Sequence, residues 1–287
     1  MATIGVQMMM LKSKVEEAGP FETLRRLKED IGFRAVEVSQ IPMTAENVAE
    51  MVRAREELGI DFGALSAVIQ APEGTPNDSL TSDFDKIVAD AQALGAERLR
   101  IGMMPFDAMA SHEQLLDFCR QADEAAVRLA EHGLTLYYHN HHIEFMKLEN
   151  GKYLLDVLRE NAPSMGFELD THWIHRGGEN PVEFIKKYAG SVRLLHLKDY
   201  KIANVEMPDM SGPDGMQKFV SAFFDKPVRF AELGAGSLPL KECIEAGLAG
   251  GAEYFLIEQD DSYGRDPFDC LRDSRAHLIE LGYESWF

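Results

Sequence analysis

The chain has 287 residues, 45% of them hydrophobic and 27% charged, proportions of a well-cored globular protein that exclude disorder, collagen and coiled coil. Lys plus Arg number 29 against 48 Asp plus Glu, and the formal charge of -19 opposes any partner bound through phosphate neutralisation, so nucleic acid is not expected. Cys119, Cys243 and Cys270 are odd in number, form no Cys-x-x-Cys pair and fall in helix-like segments, so the expectation is no disulfide framework, no thiolate zinc site and a reducing cytoplasm.

The apolar start, residues 1–10, reads as a first strand, with no basic leader. No uncharged run approaches the ~20 residues that span a bilayer, so no membrane partner is expected. Helices are predicted over 22–32 and 45–59, where Val48, Met51, Val52 and Leu58 recur at three- and four-residue intervals, and short buried strands over 35–38 and 62–65. The alternation continues with a strand at 99–101, a helix over 112–131, a strand at 134–138, a helix over 153–160 and a strand at 166–170. It closes with a helix over 181–188, a strand at 192–196, a helix over 240–248, a strand at 254–258 and a helix over 267–281. Helix-ending glycines precede strands at Gly59, Gly95, Gly133 and Gly251, where positive φ suits a C-cap. Residues 72–85 and 202–215 are the longest irregular stretches, and both follow strands. Eight strands and about eight helices without a linker predict one α/β domain over 1–287, a closed (β/α)8 TIM barrel, with a doubly wound open sheet as the alternative.

Strand interiors fill such a barrel, and only their C-terminal ends open onto a site. The fifth strand ends in Tyr138-His-Asn-His-His-Ile-Glu-Phe145, the sixth in Asp170-Thr-His-Trp-Ile-His175, the seventh in His196-Leu-Lys-Asp199 and the eighth in Glu258-Gln-Asp-Asp261. Glu232-Leu-Gly-Ala-Gly236 lies between the last two. Six of the nine histidines lie between His139 and His196, beside carboxylates, which is the donor set of a hard or borderline divalent ion. A single His or Asp is better read as a helix cap or a satisfied core group; four strand ends together reverse that. His112, His132 and His277, in or beside helices, are read as solvent-facing.

These segments, with Glu168-Leu-Asp170-Thr-His-Trp173 and Ile257-Glu258-Gln-Asp260, resemble the sugar phosphate isomerase/epimerase family of xylose isomerase-like TIM barrels over nearly the whole chain. The resemblance implies one divalent metal ion, usually manganese, cobalt or magnesium, with zinc a further candidate, held by Glu, Asp, His and Glu from strands five to eight. Asp170, His196 and Glu258 carry over directly. The fifth strand departs from the pattern, because His139, six residues after Gly133, stands where the better-known epimerases have a glutamate. Either His139 replaces that carboxylate or Glu144 reaches back to the ion. Glu144 is taken as the fourth ligand, since three carboxylates and one imidazole hold a hard ion better.

The resemblance further implies isomerisation or epimerisation of keto and aldo sugars, or, in some relatives, dehydration or β-elimination from keto-inositols and 3-keto-glycosides. Each begins with loss of a proton next to a carbonyl, and a metal on the carbonyl oxygen stabilises the charge that develops. Glu258, His139 or His141 is expected to take the proton. Lys198, two residues past His196 on the same strand face, is read as a donor to a substrate oxygen, against the alternative of a surface lysine. His172, Trp173 and Glu232 complete the expected substrate contacts. An endonuclease on this barrel would need a basic face, which the charge opposes, and a non-catalytic sugar-binding barrel would have little reason to keep Asp170, His196 and Glu258. The expected partner is a small sugar, unphosphorylated for want of an arginine cluster. Trp286-Phe287 reads either as the interface tail of a homo-oligomer or as a cover for the last helix.

Overall fold

A computed structural model describes residues 2–71, 78–204, 206–224 and 227–287. Eight parallel strands close into a barrel: β1 (Thr3–Gln7), β2 (Ala35–Val38), β3 (Asp61–Ala67), β4 (Arg98–Ile101), β5 (Thr135–His139), β6 (Gly166–Asp170), β7 (Val192–Leu197) and β10 (Tyr254–Ile257). β1 pairs with both β2 and β10, which removes every open edge and decides for the closed barrel over the open sheet.

Helices α1 (Lys12–Arg26), α2 (Ala45–Leu58), α3 (Phe84–Leu94), α4 (His112–Ala130), α5 (Leu154–Asn161), α7 (Pro181–Lys187), α9 (Leu240–Gly250) and α10 (Pro267–Glu280) surround it, and the short α6 (Thr171–Arg176) follows β6 directly. Their limits follow from local chemistry. Thr44 and Ser111 cap α2 and α4, Asn180-Pro181 and Asp266-Pro267 open α7 and α10, and Gly59, Gly95 and Gly251 end α2, α3 and α9 at positive φ. α4 shows why the helices stay on the barrel, because its stripe of Leu115, Phe118, Cys119, Ala122, Ala126 and Leu129 is buried. Cys119, Cys243 and Cys270 are all buried free thiols.

Several expectations change, and the helix predicted over 22–32 is one of them, since α1 already begins at Lys12 and ends at Arg26. The first strand stops at Gln7, whose side chain accepts from the Met9 amide and turns residues 8–11 into a single 3-10 turn. Residues 72–77 of the first irregular stretch lie outside the described residues, but its end, Phe84 and Asp85, already belongs to α3. After β7 the chain makes an unforeseen excursion, in which β8 (Asp199–Ile202) pairs antiparallel with β9 (Val228–Ala231) across α8 (Gly215–Phe224). The C-terminal tail covers the N-terminal end of the barrel rather than the last helix alone. Phe287 meets Phe33 edge-on with Arg275 over its ring, and Trp286 lies on Phe255 and Tyr283. Among the described residues no helix is long and apolar enough to cross a membrane.

Candidate active site

Alternate residues of each barrel strand face inward. A lower layer of Ala64, Tyr137, Leu194 and Leu256 forms an apolar cluster apart from the main core. Two positions further along the same strands stand Ser66, His139, His196 and Glu258, so the interior changes from an apolar plug to a polar layer at one level. Glu37, Arg100 and Glu168 join that layer, all buried.

His139, Asp170, His196 and Glu258 each present a ligand atom, and these four atoms lie within 4.8 Å of one another. Donors around one ion at about 2.0–2.2 Å stand roughly 3–4 Å apart, so a small contraction suffices and the residues fit a divalent metal. Asp170 has two tasks. Its Oδ1 accepts from the Trp173 amide at 2.8 Å and caps α6, while its Oδ2 is buried without a hydrogen-bond partner. The Asp170 amide donates to Asn140 Oδ1, and Gln7 donates to Glu258 Oε1 at 3.1 Å, so neighbouring strand ends hold both carboxylates.

His196 lies between two carboxylate sets. Its Nδ1 is 2.7 Å from Glu258 Oε2, and its Nε2 is 3.1 Å from Glu168 Oε1 and 3.2 Å from Glu37 Oε2. Glu37, Glu168 and His196 form a second group with metal-ligand composition. That group already contains a fixed cation, because Arg100 Nε is 2.7 Å from Glu37 and 3.3 Å from Glu168 and the guanidinium also donates to Ser39. The first group is the one with access. Its members Glu258 and His139, with His141 and Asp260, line a cavity of about 1160 Å³ at the C-terminal end of the barrel, while Asp170 and His196 do not reach it and no member of the second group does.

Burial and charge set the protonation of the layer. Burial pushes Asp170 up to about 7 against the pull of Lys198, and it pushes Glu168 up to about 8 with Glu37 adding to the effect. Burial also opposes charge on Glu258, but Lys198 and His196 hold its carboxyl well below the usual range. In the metal-free chain Glu168, Glu37 and Glu258 overcome burial and raise His196 well above an ordinary imidazole. Burial lowers His139 well below the ordinary value, His141 to about 4 and His172 to about 3, so these three rings are neutral at pH 7.

On the fifth strand the structure brings His139, and not Glu144, into the group. Glu144 sits in the turn Ile143–Phe145, where its Oε1 accepts from Tyr138 OH at 2.7 Å and its Oε2 from the His141 amide at 2.9 Å, and His139 holds the fourth place in the group. Lys198 is no surface lysine. It is 1% exposed, 2.7 Å from Asp260 and 2.9 Å from Glu258, with its ammonium near the Trp173 and Phe230 rings. Glu232 is not brought to the group; it pairs with Arg265 at 2.6 Å. His172 packs among Trp173, Tyr200 and Phe230, and Trp173 flanks His141 and stacks on His142. His112 and His132 are exposed and His277 is half-buried. Glu37 and Arg100 escaped the reading of the sequence, although a charge inside the apolar runs Ala35–Val38 and Leu99–Ile101, at the inward parity, was a signal for them.

The sequence profile of the family described as "Xylose isomerase-like TIM barrel" matches residues 25–281. No curated protein matches the chain at a significant level. Among solved structures, a sugar phosphate isomerase/epimerase from Parabacteroides distasonis ATCC 8503 is similar with a TM-score of 0.75 at 19% identity, over 98% of this chain and 98% of that one. The "probable 3-DHS dehydratase AsbF" of Bacillus anthracis gives 0.67 at 12% identity over 97% and 99%, and the IOLI protein "with a binding zinc atom" gives 0.66 at 13% over 99% and 99%. At such identities these likenesses show the fold. With the profile spanning most of its length and the closed eight-stranded barrel beneath it, the chain belongs to the xylose isomerase-like TIM barrel family.

Proposed function

We propose that this protein is a divalent-metal-dependent enzyme that removes a proton from the carbon next to a carbonyl of a keto or aldo sugar and so isomerises or epimerises it. The observation that carries this reading is the buried group of His139, Asp170, His196 and Glu258, of which His139 and Glu258 line the cavity, with Asp170 Oδ2 left without a hydrogen-bond partner. These four residues would hold the ion, which when bound supplies Lewis-acid stabilisation of negative charge developing on a substrate oxygen. Two imidazoles and two carboxylates favour zinc, cobalt or manganese over magnesium.

Glu258 is the proposed proton acceptor. It lines the cavity, and Lys198 and Gln7 hold it ionised and fixed in direction. His141 is the second proton carrier. It is neutral at pH 7, lines the same cavity, and its Nδ1 is buried without a partner. Epimerisation needs such a group on the opposite face of the substrate. Trp173, beside His141, offers an apolar surface to a sugar. The three free cysteines accord with a reducing cytoplasm.

One observation favours a second reading, β-elimination from a keto-inositol or 3-keto-glycoside. The cavity, at about 1160 Å³, exceeds the roughly 300–1,000 Å³ usual for small-ligand sites, and the ends of β2 to β4 give it an apolar wall that includes Ile41, Ile69, Met103 and Phe106. Glu258 would then take the proton and His141 would protonate the departing group.

Turnover of a panel of keto sugars, aldo sugars, cyclitols and 3-keto-glycosides in D2O tests both readings. Deuterium is expected on the carbon next to the carbonyl, or a leaving group is released with loss of that hydrogen. Hydrogen carried directly from carbon to carbon would leave Glu258 and His141 without the proposed roles.

A further inference from the structure

We propose that Glu168 is a positioning residue for both imidazoles of the site, and that it belongs with the histidine on the fifth strand. The inference rests on the reading above that His139, Asp170, His196 and Glu258 hold the ion. An imidazole that ligates through one nitrogen must carry its proton on the other, and whatever accepts that proton decides which nitrogen faces the metal. The two oxygens of Glu168 are divided between the two rings. Oε1 is 3.1 Å from His196 Nε2 and Oε2 is 3.4 Å from His139 Nδ1, and both oxygens and His139 Nδ1 are buried with no hydrogen-bond partner in the metal-free chain, so each is free to take up this bond when the ion sets the rings. This arrangement turns His196 Nδ1 toward Glu258 and Asp170, which lie 2.7 and 3.9 Å from it, and leaves His139 its Nε2 for the same group.

Glu37 and Arg100 hold the acceptor in register. Arg100 bridges Glu37 and Glu168, and in the metal-free chain Glu37 Oε2 is the hydrogen-bond partner of His196 Nε2 at 3.2 Å. Glu168 is two residues before Asp170 on β6, so one strand face supplies a ligand and, one level deeper, the support for two others. A carboxylate ligand on the fifth strand would need no acceptor behind it. An imidazole does, and Glu168 is in place to be one.

Glu168→Gln tests this, because the isosteric amide offers one oxygen and one N–H face and can accept from only one of the two rings. Zinc titration of metal-free protein by calorimetry should show affinity 10–100-fold below wild type. Long-range proton–nitrogen spectra of 15N-histidine protein should show one of the two rings change tautomer, a signature that a merely structural loss would not produce. Affinity within twofold of wild type together with unchanged tautomers would overturn the proposal. Wild-type protein that binds no zinc would instead overturn the metal reading, so the two failures are distinguishable. If Glu168→Gln does not fold, Glu168→Asp carries the same two measurements. Its shorter stem withdraws both oxygens while keeping the carboxyl group, so unaltered affinity and unaltered rings would again overturn the assignment.

Discussion

Glu144 is held by the Tyr138 hydroxyl and the His141 amide in a turn outside the group of His139, Asp170, His196 and Glu258, so a metal could recruit this carboxylate only by moving that turn. His139 needs no such rearrangement. His139→Asn is therefore expected to weaken metal binding markedly, whereas Glu144→Gln should keep the metal and lose about 1–3 kcal/mol of stability as a charged acceptor becomes a neutral one. Metal titration and urea unfolding of the two variants check this, and tight binding by His139→Asn with metal lost from Glu144→Gln would contradict it. The sequence made Asp170, His196 and Glu258 legible because each closes an apolar strand at the inward parity. It could not tell which of His139 and Glu144 would join that group, because this depends on a turn that folds residues 143–145 back under Tyr138, and spacing carries no information about such a reversal. Glu37 and Arg100 were hidden for another reason: one is the single charge and the other one of two charges in a strand of four residues, too short for the parity to stand out without the partner met across the barrel.

The barrel strands and most of the surrounding helices are local features with local signals, and they could be read from period, caps and glycines. The excursion of β8, α8 and β9 could not, since its strands pair across a long intervening segment. What anchors it is Asp199, directly after Lys198. Its two oxygens accept from the amides of Gly234, Gly236, Ser237 and Leu238 as well as its own neighbour Tyr200, which folds the loop at 232–238 around one carboxylate. The Gly-x-Gly pair is there for closeness of approach. A Cβ on Gly236 would lie 2.1 Å from Asp199 Oδ1 and 2.5 Å from the Tyr200 carbonyl. Gly236→Ala should therefore cost about 1–3 kcal/mol and expose the 199–238 region to limited proteolysis before the barrel opens. A variant within ~0.5 kcal/mol of wild type, with an unchanged cleavage pattern, would show that the loop is not organised by this contact.

A closed barrel buries its polar layer whether or not an ion is bound, so the charges of the site act on the stability of the whole molecule. In the metal-free chain Asp170 is raised from 3.8 to about 7, Glu168 from 4.5 to about 8, and His196 well above 6.5. Each folded value lies above its unfolded one, so the native state binds more protons. The stability these groups contribute is complete at low pH and is lost as pH rises through the folded values. His139, His141 and His172 are displaced the other way, and most of their gain comes below about pH 6.5, the ordinary imidazole value, and levels off within about one unit above it. Between pH 6.5 and 8.0 the first set therefore governs, and the melting temperature of metal-free protein should fall. An ion that takes the place of those protons acts in the opposite sense. At a hundredfold excess over its dissociation constant it adds about 2.7 kcal/mol, or roughly 4–5 °C for a chain of this length. At a fixed ion concentration the increment should be larger at pH 8.0 than at 6.5, because fewer protons have to be displaced. Calorimetric scans with and without manganese at the two pH values measure both quantities. A metal-free transition that rises with pH, or an ion increment that shrinks, would mean that the polar layer is not the proton-loaded metal site proposed for it.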